Sequence, residues 1–367
     1  MALQRSVLHA AGPAVGTDFA GIDFIERHGW ELPGVYTDVA SEYESATTAA
    51  AVHDASYMGR LKATGEDALD LLNRLSTNEL VGLEPGQGAP TILTTDRGRI
   101  LDAIIVVNTG EHVLLLTSPG MQDAVISFLD KYTIMEDLIV EDVTATTSML
   151  AVWGPQSAGR LAEVASVNLD GLPLYHSVSA ELGASPVRLI SCSLSDLPGF
   201  YIISSADHAS KLWQSLTGSG VTPMGESTYE TARINQGIPV QGSEMGEEFN
   251  PLEAGLIGSI DFAKGCYIGQ EVIARLDTYK KVQKYLVKLA FDNAGNVSPG
   301  TILSYEGKPV GKVTSVARDP STGQTIGLGY VRTAQALAGT RLELAEPESA
   351  SAEIVSLPQM FGPEKGL

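Results

Sequence analysis

The stretch Lys264-Gly265-Cys266-Tyr267-Ile268-Gly269-Gln270-Glu271 sets a cation, a thiol, a phenol, an amide, a carboxylate and two glycines side by side, with one aliphatic residue among them. A strand would alternate apolar residues and a helix would exclude the first glycine. The composition therefore reads as a glycine-turned loop running into a helix from Gln270 to Arg275. Cys266 then lies near a helix N-terminus with Lys264 two residues away, and both the cation and the positive end of the helix dipole favour the thiolate, the nucleophilic and metal-binding form of cysteine. The plainer reading of a single cysteine is a small buried apolar residue. Glu271 and Arg275, four apart on that helix, are expected to pair with one another.

Around this loop the chain has the composition of a soluble globular protein. Its 367 residues suffice for two or three domains. A formal net charge of −20 opposes binding to polyanions, so nucleic acid and anionic membrane surfaces are excluded as partners. Two cysteines, Cys192 and Cys266, cannot supply a four-thiolate metal site within one chain and do not form a secreted disulfide framework, so no metal is expected and the compartment is read as reducing, the cytoplasm. Residues 1–16 are too short and too mixed for a signal peptide, and no stretch approaches the length of a membrane span.

Residues 52–65 begin to alternate as a half-buried strand, a helix follows to Leu75, strands at 91–94, 99–107 and 112–116 form consecutive hairpins through the turns Asp96-Arg97-Gly98 and Thr109-Gly110, and a helix near 121–132 precedes a strand near 138–143. Strand, helix, two strands, helix, strand is the ferredoxin-like order. A second copy of the order starts near Ser148 and runs to the helix at 206–216. Beyond Lys281 come five short strands, at 285–291, 301–305, 310–317, 325–330 and 341–344, punctuated by glycine, which make a small β-barrel or sandwich.

The loop resembles the signature of the YgfZ family, folate-binding relatives of the glycine-cleavage T-protein that take part in making or repairing iron-sulfur clusters. That signature reads Lys-Gly-Cys-Tyr, any residue, Gly-Gln-Glu, and Lys264, Gly265, Cys266, Tyr267, Gly269, Gln270 and Glu271 fill every fixed position. The stretches from His53-Asp54 to Gly65 and from Leu72 to Asn78, the turn at Gly98, Trp153-Gly154-Pro155 and the stretch Val310 to Ser315 look like the T-protein superfamily. The likeness implies an α+β fold, a clover-leaf of two ferredoxin-like domains and a C-terminal β-barrel around an opening that holds the pteridine of tetrahydrofolate. It places an N-terminal folate-binding domain with the signature loop over 1–147 and 225–279, a second ferredoxin-like domain over 148–224, and the barrel over 280–367.

The resemblance also implies roles for single residues. Asp102, in Ile100-Leu101-Asp102-Ala103-Ile104, is similar to the aspartate that meets the reactive edge of folate, and burial would bring its pKa towards the working range. The alternative is an outward-facing residue on an edge strand. Arg233 falls where the family carries an arginine near the ligand, and Tyr267 joins Asp102 and Arg233 in the expected cofactor-binding set. T-proteins carry a Thr-Gly-Glu-x-Gly-x-Glu stretch where this chain reads Ser195-Asp196-Leu197-Pro198-Gly199-Phe200-Tyr201, so both glutamates are missing. The first expectation is thus a tetrahydrofolate-binding accessory protein of iron-sulfur cluster assembly or repair, with Cys266 as its reactive thiol and assembly proteins or client enzymes as partners. The alternative is a folate-dependent aminomethyl- or methyltransferase in which Asp102 is the essential group. A third reading is a thiol redox or scaffold protein without folate.

Overall fold

The chain is described by a computed structural model that covers residues 3–6, 8, 21–293, 295, 297–344 and 350–357. Contacts divide it into two units, one of Met1–Leu72, Leu80–Pro90 and Ile104–Tyr229, the other of Asn73–Glu79, Thr91–Ala103 and Glu230–Leu367.

The first unit opens with a three-stranded sheet of β1 (Gln4–Arg5), β2 (Phe24–Arg27) and β3 (Trp30–Pro33), followed by α1 (Val39–Thr48). Residues 52–65 are not one strand. They divide into β4 (Ala51–Asp54) and β5 (Gly59–Thr64), which join different sheets. The cause is local: the Asp54 carboxylate accepts the Ser56 N–H at 3.0 Å and the Met58 N–H reaches Ala55 O at 3.0 Å, so the chain turns before β5. After β5 come α2 (Ala68–Leu75), β6 (Gly88–Thr94), β7 (Ile100–Asn108), β8 (Val113–Thr117), α3 (Gln122–Tyr132) and β9 (Ile139–Asp142). Their sheet runs β6-β7-β8-β5-β9. The pairs β7–β8, β8–β5 and β5–β9 are antiparallel, as the ferredoxin-like order requires, and β6 adds a strand at one edge.

The second copy comprises β10 (Thr147–Trp153), α4 (Ser157–Ala165), β11 (Ser177–Leu182), β12 (Ser185–Leu194), β13 (Leu197–Ser205), α5 (Ala209–Gly218) and β14 (Thr222–Met224). In the sheet β11-β12-β13-β10-β4-β14, β4 lies between β10 and β14 with all four of its residues buried. Val52, Leu150, Val152, Leu189 and Ile202 from the strands pack with Leu161 of α4 and Leu212, Trp213 and Leu216 of α5.

Helix α6 (Glu226–Gln236) carries the chain into the second unit, which continues through α7 (Gln270–Thr278) to β15 (Lys284–Asp292), β16 (Ile302–Tyr305), β17 (Lys308–Arg318), β18 (Thr325–Arg332), β19 (Arg341–Leu344) and β20 (Ser351–Ser356). These six strands close a barrel in the order β15-β18-β17-β16-β19-β20, which decides between barrel and sandwich. The sixth strand escapes a reading of the sequence because only Ala352 and Ile354 alternate inward there. A second core of this unit joins Ile92 and Ile100 of β6 and β7 to Ile234, Phe249, Leu252, Tyr267, Ile273, Leu286, Leu328 and Tyr330. Among the described residues no helix is long and apolar enough to cross a membrane.

Candidate functional site

The signature loop is fixed at both ends. At its start the Lys264 ammonium donates to Asn73 O, Asn73 Oδ1, Ser76 O and Asn78 O at 2.5 to 3.0 Å. Four acceptors exceed the three N–H groups of the ammonium, so its hydrogen-bonding capacity is fully taken by the segment 73–78. The charge expected to favour a Cys266 thiolate therefore serves as an anchor. Burial lowers the Lys264 pKa to about 8 against the opposing pull of Glu79 and Asp261, which leaves it a cation at neutral pH.

At the far end Gly269 has φ +83°, and a Cβ there would lie 2.6 Å from Thr95 O and 3.0 Å from Gly98 Cα. Only glycine fits, because the loop passes against the turn at 95–98. Thr94 Oγ1 donates to Ile268 O at 2.6 Å and the Ile268 N–H to Arg74 O at 3.3 Å. Helix α7 begins at Gln270, as the composition predicts.

Between these anchors Cys266 is exposed, while Tyr267 turns into the core, where burial pushes its phenol up to about 12. The plainer reading of Cys266 as a buried apolar residue does not hold; Cys192 is the buried cysteine. The expected Glu271–Arg275 pair does not form. Both side chains are exposed, where an ion pair gains little. With Val272, Leu276, Lys281 and Gln283 they line a hollow of about 370 Å³.

Asp102 is completely buried on β7, between half-buried Leu101 and Ala103. Strand periodicity puts it on the same face as Ile100, which packs in one cluster with Tyr267 and Ile273. The outward-facing alternative for Asp102 is thereby removed. The Gln241 amide donates to Leu101 O at 3.3 Å and the Ile100 N–H to Phe249 O at 3.0 Å, so the segment 241–249 borders this part of β7.

Arg233 is buried on α6 with all five N–H groups engaged. Nε and Nη2 form a forked pair with Glu230; Nη1 donates to Ile238 O at 3.1 Å and Glu244 Oε2 at 3.4 Å, and Nη2 also donates to Ser315 Oγ at 2.9 Å. The guanidinium expected to hold folate thus ties α6 to the loop at 238–244 and to β17.

Glu244 is the residue that reading of the sequence missed. It is fully buried, accepting from Ser315 Oγ at 2.6 Å and the Val240 N–H at 3.2 Å, while its carbonyl takes the Tyr330 hydroxyl at 2.6 Å. Tyr330 stacks on Phe249 at 4.2 Å, and the Lys284 ammonium lies 4.3 Å from the Phe249 ring centre. Burial, and then the charges of Glu253 and Glu244, push the Tyr330 phenol far up. Nothing in the acidic run to Glu248 sets Glu244 apart. Among the described residues no three His, Cys, Asp or Glu side chains come together to hold a metal ion.

Residues 17–264 match the family described as the GCVT N-terminal domain, and residues 284–360 the glycine cleavage T-protein C-terminal barrel domain. The chain is 33% identical to a chloroplastic putative transferase of Arabidopsis thaliana over 80% of its own length and 68% of that protein. With the aminomethyltransferase of Streptomyces coelicolor it shares 30% identity over 92% of both chains. Among solved structures, the glycine cleavage system aminomethyltransferase T of Bartonella henselae has the same fold, with a TM-score of 0.87 at 22% identity over 98% of each chain. With both of its family regions matched in chain order, the protein belongs to the glycine-cleavage T-protein family of aminomethyltransferase relatives.

Proposed function

We propose that the protein binds tetrahydrofolate and transfers a one-carbon group, with Asp102 as the residue that orients the reacting amine and holds or moves its proton. The observation that carries this reading is the complete burial of the Asp102 carboxylate on a strand rich in aliphatic residues. A carboxylate kept from water is suited to orienting an amine or exchanging a proton with it. Tetrahydrofolate, when bound, supplies the amine nitrogens that carry the one-carbon unit. The chemistry of the residues fits such a ligand: a carboxylate for an amine, and in Tyr267 a phenol that burial keeps neutral. Arg233 serves as a positioning residue, because its N–H groups are held by Glu230, Glu244, Ile238 and Ser315. The β12–β13 turn, Ser195-Asp196, lacks the T-protein glutamates and favours a donor other than a lipoyl-bound aminomethyl group.

A second reading rests on Cys266. An exposed thiol on a loop anchored at both ends, within the complete YgfZ-type signature, suits an accessory role in iron-sulfur cluster assembly or repair in which the thiol engages iron or a partner.

The test is calorimetric titration with tetrahydrofolate under reducing, anaerobic conditions, together with a one-carbon transfer assay. Asp102→Asn is expected to slow transfer by about a hundredfold or more while folate still binds, and Cys266→Ser to leave both intact. Normal transfer in the Asp102 variant contradicts the first reading. Loss of iron-sulfur enzyme activity in cells carrying only Cys266→Ser favours the second. Absence of folate binding in the wild type removes both folate readings.

A further inference from the structure

The loop between α3 and β9 is tied down more closely than its composition suggests. Glu136 Oε2 accepts the N–H groups of Ile134 at 2.9 Å and Met135 at 3.1 Å. The Asp137 N–H donates to Asp67 Oδ2 at 2.8 Å, and Asp137 in turn accepts the N–H groups of Glu66 at 3.2 Å and Asp67 at 3.3 Å. Gly65, with φ +115°, allows this contact, since a Cβ there would sit 2.0 Å from Asp137 O. The well-held loop nevertheless presents Ile134 at 84% and Met135 at 93% exposure, followed by Ile139 at 62%.

Single exposed apolar residues need no explanation, but two on a fixed loop and a third at the start of the open edge strand do. β9 is that edge: it pairs with β5 on one side and ends the sheet order on the other. Carboxylates are dense around the apolar tip: Glu66, Asp67, Glu136 and Asp137 lie in or against the loop, and Glu141, ion-paired with Lys62, and Asp142 follow on β9. A second copy of a chain with net charge −20 would be repelled from such a surface, whereas a cationic partner would be drawn to it.

We propose that β9 and the tip at Ile134-Met135 form a docking edge for an extended segment of a basic partner protein in which apolar residues alternate with Lys or Arg. The segment adds as a strand to β9, its main chain meeting the open edge, the apolar side chains of one face covering Ile134, Met135 and Ile139, and the cations of the other face meeting Asp142, which lies on the opposite side of β9 from Ile139.

The probe is a labelled, end-blocked synthetic peptide of alternating lysine and valine, titrated into the full-length protein at about 0.15 M salt and followed by fluorescence anisotropy and backbone hydrogen exchange. The expected result is binding that protects the amides of residues 139–142 and that weakens about tenfold in an Ile134→Ser, Met135→Ser double variant, whose changes lie on the surface. Four results overturn the proposal: no binding; equal binding by the variant; equal binding of a peptide with the lysines and valines in separate blocks; or protection of residues 139–142 by self-association without peptide.

Discussion

At the scale of single residues, Lys264 determines how the signature loop is held. Three of its four acceptors are main-chain oxygens, those of Asn73, Ser76 and Asn78. Lys264→Met keeps the volume and removes the donors, and is expected to lower unfolding free energy by about 2–4 kcal/mol in urea titration; a loss of only a few tenths would mean that water replaces the ammonium. Tyr267 gives a pH signature. Its folded-state pKa of about 12 exceeds that of an unfolded tyrosine, so the unfolded chain loses its proton first. The stabilisation is therefore complete below about pH 10 and is lost as pH rises through the folded value of about 12. Urea midpoints measured through that window should fall more steeply for the wild type than for Tyr267→Phe. Neither residue's task was legible in the sequence: the lysine's neighbours there are Gly265 and Cys266, whereas its partners lie at 73–78 and reach it only through the path of the fold.

At the scale of elements, the start of α7 depends on Gly269 lying against the turn at 95–98. Gly269→Ala places a methyl group against Thr95 O and adds left-handed strain of about 1–3 kcal/mol, so a melting temperature several degrees below wild type is expected, with the barrel's circular dichroism retained after refolding. The glycines that bracket the loop, the barrel strands and the helix from Gln270 were legible because their signals are local. Alternation over 52–65 was misleading, since the Asp54 turn sends two short strands to different sheets and alternation alone cannot register a change of partner. The Glu271–Arg275 spacing was likewise permissive rather than decisive. In the candidate site, Asp102 and Arg233 could be found by position, but the burial of one and the full engagement of the other depend on segments far away in sequence, and Glu244 carries no local mark at all.

At the scale of the molecule, acidity acts on every folded state equally. With a net charge of −20 the compact chain repels itself at low ionic strength, and melting temperature should rise as sodium chloride is increased from about 0.01 to 0.3 M; a flat profile would mean that local pairing already offsets the excess. The enclosed ammonium of Lys264 makes that folded state chemically visible. An acylating reagent reaches the exposed amines of Lys280 and Lys281 at once but finds the Lys264 amine only when the segment 73–78 has let go of it. The rate at which Lys264 takes up label therefore clocks the opening of the loop that carries Cys266.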